Sequence, residues 1–401
     1  IAGSYAVWVN PVVFSNSDTS VPNVILVVVD ALRADHLGCY GYHRPASPFL
    51  DLLAAQSLLF EDAGSQATWT LPSVWSLLSS SYPLVYGSRA QKSSAQGPPE
   101  QSLPLQSVEL STSLQSSLQS RGYETLASVG GGFLNASLGF DGYFDWYWCP
   151  DVTRPLEQQL TILRDRLAST PPAPFFAVLH TLHVHDFVKT GNQSIEFLDG
   201  GYLGPLTDPA RRMEAYRGRR ADLSPEDYRY LVNLYDGAIR HHDYYLGLFL
   251  RWVLGQPWGD NTVIIIPADH GDGLGDHQVM NHGGIPYREV IHVPLLLRLP
   301  SDRLGGRRVG TPVALVDIMP TVLELAETEI PAGLKGRSLL RAATERDGSS
   351  WPVLAESQGR SVMARDGDWW YVSLPEVFER LFNVARDPAQ TQDLAASHPG
   401  R

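Results

Sequence analysis

Residues 21–30 read VPNVILVVVD, a near-continuous β-branched and aliphatic run that ends on an acid. A strand with one wet face alternates apolar and polar residues; this one does not. Both faces must therefore be covered, as in a parallel sheet packed between helices. In open sheets of that kind, sites lie beyond the carboxyl ends of the strands, so Asp30 is a candidate ligand. FFAVLH at 175–180 and TVIII at 262–266 repeat the pattern, and 124–129 and VPLLLRL at 293–299 read as further strands. Between them, helices are expected over 47–60 (SPFLDLLAAQSLLF, with Ser47 as cap and Pro48 at its first position), 112–121, 227–254 and 313–326. The expected fold is α/β: a mixed, mostly parallel sheet sandwiched by helices. Residues 362–374 and 380–384 read as the short antiparallel strands of a small C-terminal subdomain. The divisions expected are 1–20 as an extension, 21–345 as the main domain and 346–401 as the subdomain.

The 401 residues carry a net charge of −12, with 43% hydrophobic and 18% charged residues. That composition supplies a sizeable core. The negative charge argues against a nucleic-acid backbone as partner, though not against a small anion at a metal-bearing site. The two cysteines, Cys39 and Cys149, lie in no CxxC pair, so neither a zinc knuckle nor a disulfide framework is indicated; they form one bridge or none. The opening IAGSYAVWVNPVVF is apolar but too short to span a bilayer. It reads as the outer end of a membrane or signal segment, or as a surface strand.

Chemistry gathers around ATWTLPSVWSLLSSSYP, residues 67–83. Pro72 suits a first helical turn, and Val74, Leu77 and Leu78 supply an apolar stripe. Thr70 is thereby placed at a helix N-terminus, where free N–H groups and the helix dipole favour an anion. A hydroxyl there can act as a nucleophile, or Thr70 and Ser73 can simply cap the helix. The strand at 175–180 runs into HTLHVHD, which loads His180, His183 and His185 at a strand end. The strand at 262–266 runs into PADHGDGLGDHQVMNHGG, which carries Asp269, His270, His277 and His282. Asp30, Asp269, His270 and Thr70 make a mixed oxygen and nitrogen set for one divalent cation, Ca²⁺, Zn²⁺ or Mn²⁺. His185 and His282 suit the anionic oxygens or the leaving group, with His180, His183 and His277 as further substrate contacts. Asp35 reads as structural. Residues 89–109 read as a surface loop, 130–132 as a glycine loop, and 189–224 as an irregular insertion over the mouth of the site. His241, His242, Asp236 and Asp243 read as helix-surface or packing residues.

Taken together, these blocks resemble the sulfatase family of the alkaline phosphatase superfamily. NVILVVVDALRADHLGCYGY resembles its opening metal strand, and TLPSVWSLLSSSYPLVYG the stretch that bears its nucleophile. GFDGYFD, the Asp-His-Gly loop, VPLLLRLP, VDIMPTVLELA with GRSLL, and LFNVARDPAQTQDL are similar to later family blocks, in family order. The resemblance implies an alkaline-phosphatase-like sheet, a metal-dependent ester hydrolase and an extracytoplasmic setting. It also implies a small anionic ester as substrate, on a glycan or a lipid headgroup.

The departures from the pattern bear on chemistry. Thr70 stands where the family has the Cys or Ser that becomes formylglycine, and threonine cannot be oxidised to that aldehyde. Val74 replaces the motif's arginine, Ala31 the second acid of the opening strand, and His270 the family's asparagine. His282, twelve residues past His270, resembles the substrate-side histidine of the phosphoethanolamine transferases. A formylglycine hydrate can expel sulfate by elimination, whereas a threonine ester needs a second displacement. The expected function is a metal-dependent hydrolase of sulfate or phosphate esters with Thr70 as nucleophile. The alternatives are a headgroup transferase, to which a membrane anchor upstream of Ile1 would belong, and a non-catalytic binding protein that kept the fold.

Overall fold

A computed structural model describes residues 21–83, 113–136, 139–150, 155–169, 174–190, 197, 201–218, 223–344 and 352–400. The expected 1–20 extension, the 89–109 loop and the subdomain boundary at 345–346 lie outside these residues.

Fifteen strands are found among the described residues: β1 (Asn23–Val29), β2 (Leu58–Phe60), β3 (Ala63–Gly64), β4 (Glu124–Val129), β5 (Trp146–Trp148), β6 (Phe175–Thr181), β7 (Thr262–Pro267), β8 (His292–Val293), β9 (Leu295–Arg298), β10 (Arg307–Val309), β11 (Val313–Ala314), β12 (Val353–Ser357), β13 (Ser361–Asp366), β14 (Trp369–Leu374) and β15 (Phe378–Asn383). The main sheet runs β10-β2-β9-β7-β1-β6-β4-β5. Only β9 is antiparallel to its neighbours; the remaining pairings are parallel. β1 lies between β6 and β7, and all seven of its residues are buried. Each such aliphatic side chain contributes about 1.5–3 kcal/mol.

Helices cover both faces. One group packs around α7 (Pro225–Leu254): α1 (Pro48–Ala54), α4 (Leu156–Ala168) and α5 (Phe187–Thr190), with α6 (Pro209–Arg217) against α5. The other group is α2 (Thr70–Ser79), α3 (Leu114–Ser120), α9 (Ile318–Leu325) and α10 (Leu339–Thr344); the single turn α8 (Arg288–Ile291) precedes β8. α7 begins with a capping box in which the Ser224 hydroxyl accepts from Asp227 N and the Asp227 carboxylate accepts from Ser224 N. Pro225 sits at its first position, and a stripe from Tyr230 through Ile239 to Val253 is buried.

The structure corrects several expected boundaries. The helix expected over 47–60 stops at Ala54, and Leu58–Phe60 is strand β2. The Ser57 hydroxyl donates back to Leu53 O and closes the helix there. The strand at 293–299 is divided at Pro294, which has no N–H for a ladder. The insertion at 189–224 is not wholly irregular. Asp208 caps α6, its carboxylate accepting from Ala210 N and Arg211 N, and this polar helix lacks the apolar period that would announce it. β12 adds a fourth strand to the C-terminal antiparallel sheet β12-β13-β14-β15. Cys39 and Cys149 form no disulfide. No helix of the described residues is long and apolar enough to cross a membrane.

Candidate active site

Three parallel neighbours, β6, β1 and β7, bring their carboxyl ends together. Val29 pairs with Thr181 and, beyond β7, with Ala268, so Asp30 and Asp269 emerge side by side. Asp30 N donates to Thr181 O at 3.0 Å. Ala31 takes a left-handed conformation, φ 59°, uncommon for a side chain with a Cβ. Two bonds hold it there: its N–H donates to Asp269 Oδ1 at 3.2 Å, and its carbonyl accepts from the Tyr235 hydroxyl of α7 at 2.6 Å.

Thr70 is the first residue of α2, and its hydroxyl points at this edge. Thr70 Oγ1 lies 3.2 Å from Asp30 Oδ2 and 3.4 Å from His270 Nε2. His270 Nδ1 donates to Gly271 O at 2.8 Å, which leaves the Nε2 lone pair facing inward. His270 Nε2 is 3.4 Å from Asp30 Oδ1 and 3.6 Å from Asp269 Oδ2. Asp30, Asp269 and His270 each present one ligand atom within 4.8 Å of the others, and all three are buried. Asp30 Oδ1 and Asp269 Oδ2 are buried without a hydrogen-bond partner. Two converging carboxylate oxygens that lack protons to accept are what a cation would satisfy, so this donor set fits a divalent metal ion. Asp269 stays ionised: burial pushes its pKa up, but His270, His180 and the Ala31 N–H outweigh that and hold it low.

His282 and His185 extend the site outward from His270. The His270 and His282 ring centres are 4.4 Å apart, and those of His282 and His185 are 5.0 Å apart. Burial lowers the His282 pKa and the neighbouring His270 adds to it, while Asp272, 3.5 Å away, opposes. His185 is the opposite case. Burial would lower it, but Asp30 and the Asp186 carboxylate, which accepts from Nδ1 at 3.0 Å, raise it to about 9. The neighbouring pair is thus pushed in opposite directions, His282 down and His185 up.

The remaining expected contacts are placed differently. His180 points into the metal set, with Nε2 3.6 Å from Asp30 Oδ2 and 3.7 Å from Asp269 Oδ2. His183 turns to α7 and stacks on His241, ring centres 4.5 Å apart. His277 is not brought to the site. Its ring nitrogens pair with Glu289 Oε1 at 2.8 Å and Gln390 O at 3.0 Å, and the ring lies on Tyr287. Asp35 pairs with Arg33 outside the metal set, as its structural reading expected. Three contributors are absent from the sequence reading. Asp272 is buried beside His282 and accepts from the Tyr216 hydroxyl at 2.6 Å. Tyr235 of α7 donates its hydroxyl proton to Ala31 O. Arg33 joins Asp35 and Asp276 to Asp272 O. Asp272, two residues past His270 in a glycine-rich loop, had a signal; the other two have none short of the fold.

A strand-end acid pair, a histidine and a helix-borne hydroxyl at one edge of a mostly parallel sheet make a candidate ester-hydrolase site on an α/β fold. Residues 22–328 match the family model described as Sulfatase, and the chain belongs to the sulfatase family. It is similar to an arylsulfatase of Clostridium perfringens, 24% identical over 94% of this chain and 90% of that protein. Among solved structures, a 2-O GAG sulfatase aligns with TM-score 0.71 at 21% identity, over 94% of this chain and 89% of that one. The phosphonate monoester hydrolase of Agrobacterium radiobacter aligns with TM-score 0.70 at 18% identity, over 94% and 92%. The two structural likenesses establish the shared fold.

Proposed function

We propose that this sulfatase-family protein hydrolyses sulfate or phosphate esters through a covalent intermediate on Thr70. One observation carries the reading: the Thr70 hydroxyl stands at a helix N-terminus, 3.2 Å from Asp30 and 3.4 Å from His270. In the first displacement the Thr70 hydroxyl gives its proton to Asp30 Oδ2, and Oγ1 bonds to the sulfur or phosphorus. The bond to the alcohol oxygen breaks, and that oxygen takes a proton from the His185 imidazolium. In the second, neutral His185 takes a proton from water, the hydroxide displaces Thr70 Oγ1, and Oγ1 recovers its proton from Asp30. His282 faces the anionic oxygens. Asp30, Asp269 and His270 would hold a divalent cation with Thr70, which would supply charge neutralisation and a lower pKa at the hydroxyl.

Threonine chemistry favours the phosphoryl ester. A threonine sulfate cannot collapse to an aldehyde, so its release depends on direct attack at sulfur, while phosphoryl groups pass readily through two successive displacements. The likeness to a phosphonate monoester hydrolase supports the same choice, and that to a 2-O GAG sulfatase supports an ester carried on a glycan.

The test presents aryl phosphate diester, phosphate monoester and sulfate ester probes to metal-loaded protein and to Thr70→Ala, with intact-mass spectra of quenched samples. A phosphate-sized adduct on the parent protein, absent from the variant, is expected. Sulfate release that requires Thr70 would reverse the preference for phosphorus. Turnover that survives in Thr70→Ala would remove the nucleophile assignment.

A further inference from the structure

The geometry points to His180 as an additional metal ligand; this rests on the metal reading of the site above. Both of its ring nitrogens are buried without a hydrogen-bond partner. A fully buried imidazole with neither nitrogen satisfied is costly unless something fills the gap. Its backbone is well held: His180 O accepts from Gly130 N at 2.9 Å and from Gln159 Nε2 at 2.8 Å. Direction comes from the alternation of strand β6. The next residue, Thr181, turns its hydroxyl to His242 of α7 at 3.0 Å, so His180 faces the opposite side, where Thr70 and α2 lie.

Distances agree with a ligand. His180 Nε2 is 3.6 Å from Asp30 Oδ2 and 3.7 Å from Asp269 Oδ2. His270 Nε2 stands 3.4 Å from Asp30 Oδ1 and 3.6 Å from Asp269 Oδ2. Donors bonded to one ion at about 2.1 Å sit roughly 3.0–3.4 Å apart at octahedral to tetrahedral angles. Both histidines meet Asp269 Oδ2, while His270 faces Asp30 Oδ1 and His180 faces Asp30 Oδ2, and the four separations run from 3.4 Å, the upper end of that spacing, to 3.7 Å. A set of two imidazoles, two carboxylates and a hydroxyl selects a nitrogen-accepting ion, Mn²⁺ or Zn²⁺, over Ca²⁺. The competing role for His180 is a proton bridge, with Nε2–H shared between the carboxylates and no bond to metal.

Pulsed EPR of Mn²⁺-loaded protein separates the two by counting directly bound imidazole nitrogens. Two are expected in the parent protein, one in His180→Gln and one in His270→Asn. Zn²⁺ affinity by chelator competition should fall roughly 10- to 100-fold in His180→Gln. A parent count of one that persists in His180→Gln and vanishes in His270→Asn would overturn the assignment and leave the metal site standing. Failure of the parent protein to bind Mn²⁺ or Zn²⁺ at all would overturn both. If His180→Gln does not fold, a His270→Asn, His282→Gln double variant decides: one bound nitrogen supports His180, and none overturns the assignment.

Discussion

Asp269 divides its labour between its two oxygens. Oδ1 accepts from Ala31 N and His270 N and holds the backbone turn, while Oδ2 faces the metal set unpartnered. Asp269→Asn keeps an acceptor for the turn and removes the charge. Metal content and activity should fall together with the fold intact, measured by elemental analysis beside initial rates; full activity in metal-depleted variant would sink the ligand role. His185 makes a pH prediction. Its folded pKa is raised to about 9, so under the proposed mechanism the proton for the leaving group is present at neutral pH and lost as pH climbs. A cation at Asp30 would cancel part of that rise, leaving the Asp186 hydrogen bond as the constant contribution. The kcat profile should therefore fall on an alkaline limb between about 6.5, the ordinary histidine value, and 9. His185→Gln should abolish the limb and lower kcat about 10²- to 10⁴-fold for substrates with poor leaving groups. A limb unchanged in the variant would assign it to another group.

Elements with one strong period announced themselves, and elements shaped by neighbours did not. β1, β6 and β7 were legible because a strand buried on both faces is a bare aliphatic run. Those strands place Asp30 and Asp269, and α2 places Thr70, so the residues that meet in the candidate site were named from the sequence, with His180 expected there only as a substrate contact. What was not readable depends on packing between distant segments. Tyr235 reaches Ala31, and Asp243 of α7 caps the start of α1, accepting from Phe49 N and Leu50 N at 2.8 Å each. His183 and His277 looked like site residues because histidine at a strand end or in a glycine loop carries the same letter whichever way it turns. α7 also carries a cluster that titrates. Burial and mutual repulsion hold His183 at about 4 and His242 at about 3, and burial lowers His241 against the pull of Glu157. Asp186 also faces His183, and Tyr245 stacks near His241. A histidine with a depressed folded pKa is protonated first in the unfolded chain. Its stabilising effect is complete above about pH 6.5 and is lost as pH falls, by about 1.4 kcal/mol per unit for each of the buried pair His183 and His242. Asp243 and Asp317, raised to about 6 and 7, act in the opposite direction over part of that window. The comparison must therefore be between parent and His242→Gln, which keeps a partner for Thr181. Urea midpoints from pH 7 to 5 should fall less steeply in the variant; equal slopes would show that His242 does not titrate with unfolding.

The C-terminal sheet is joined to the rest by a shared core and a polar strut. Val353, Ala355, Met363, Trp370 and Phe382 pack in one cluster with Tyr287, Ile291, Ala314 and Val316 of the main domain. Beside this, β12 meets the backbone that leads to Thr70: Glu356 N donates to Gln66 O at 3.0 Å, and Ala67 bridges Glu356. Ser357 completes the link. Its hydroxyl accepts from the Thr68 hydroxyl at 2.9 Å and donates to Gly283 O at 3.1 Å, while Gly283 N donates to Thr68 O at 2.8 Å. Thr68 is two residues from Thr70, and Gly283 is next to His282. The C-terminal sheet therefore ties the segment that bears Thr70 to the segment that bears His282, although it contributes no residue to the Asp30, Asp269 and His270 group. Ser357→Ala strands the Thr68 hydroxyl and Gly283 O, at about 1–3 kcal/mol if neither finds water. Asp30, Asp269 and His270 hang on β1 and β7, so metal content should be unchanged. What should suffer is the register of Thr70 against His282, seen as a several-fold fall in kcat with KM little moved, because an interaction made mainly in the transition state is lost. Parental kinetics in Ser357→Ala would mean that the packed cluster alone sets the site and the strut is incidental. A fall in metal content instead would mean that the main sheet does not hold the ligands independently of its C-terminal partner.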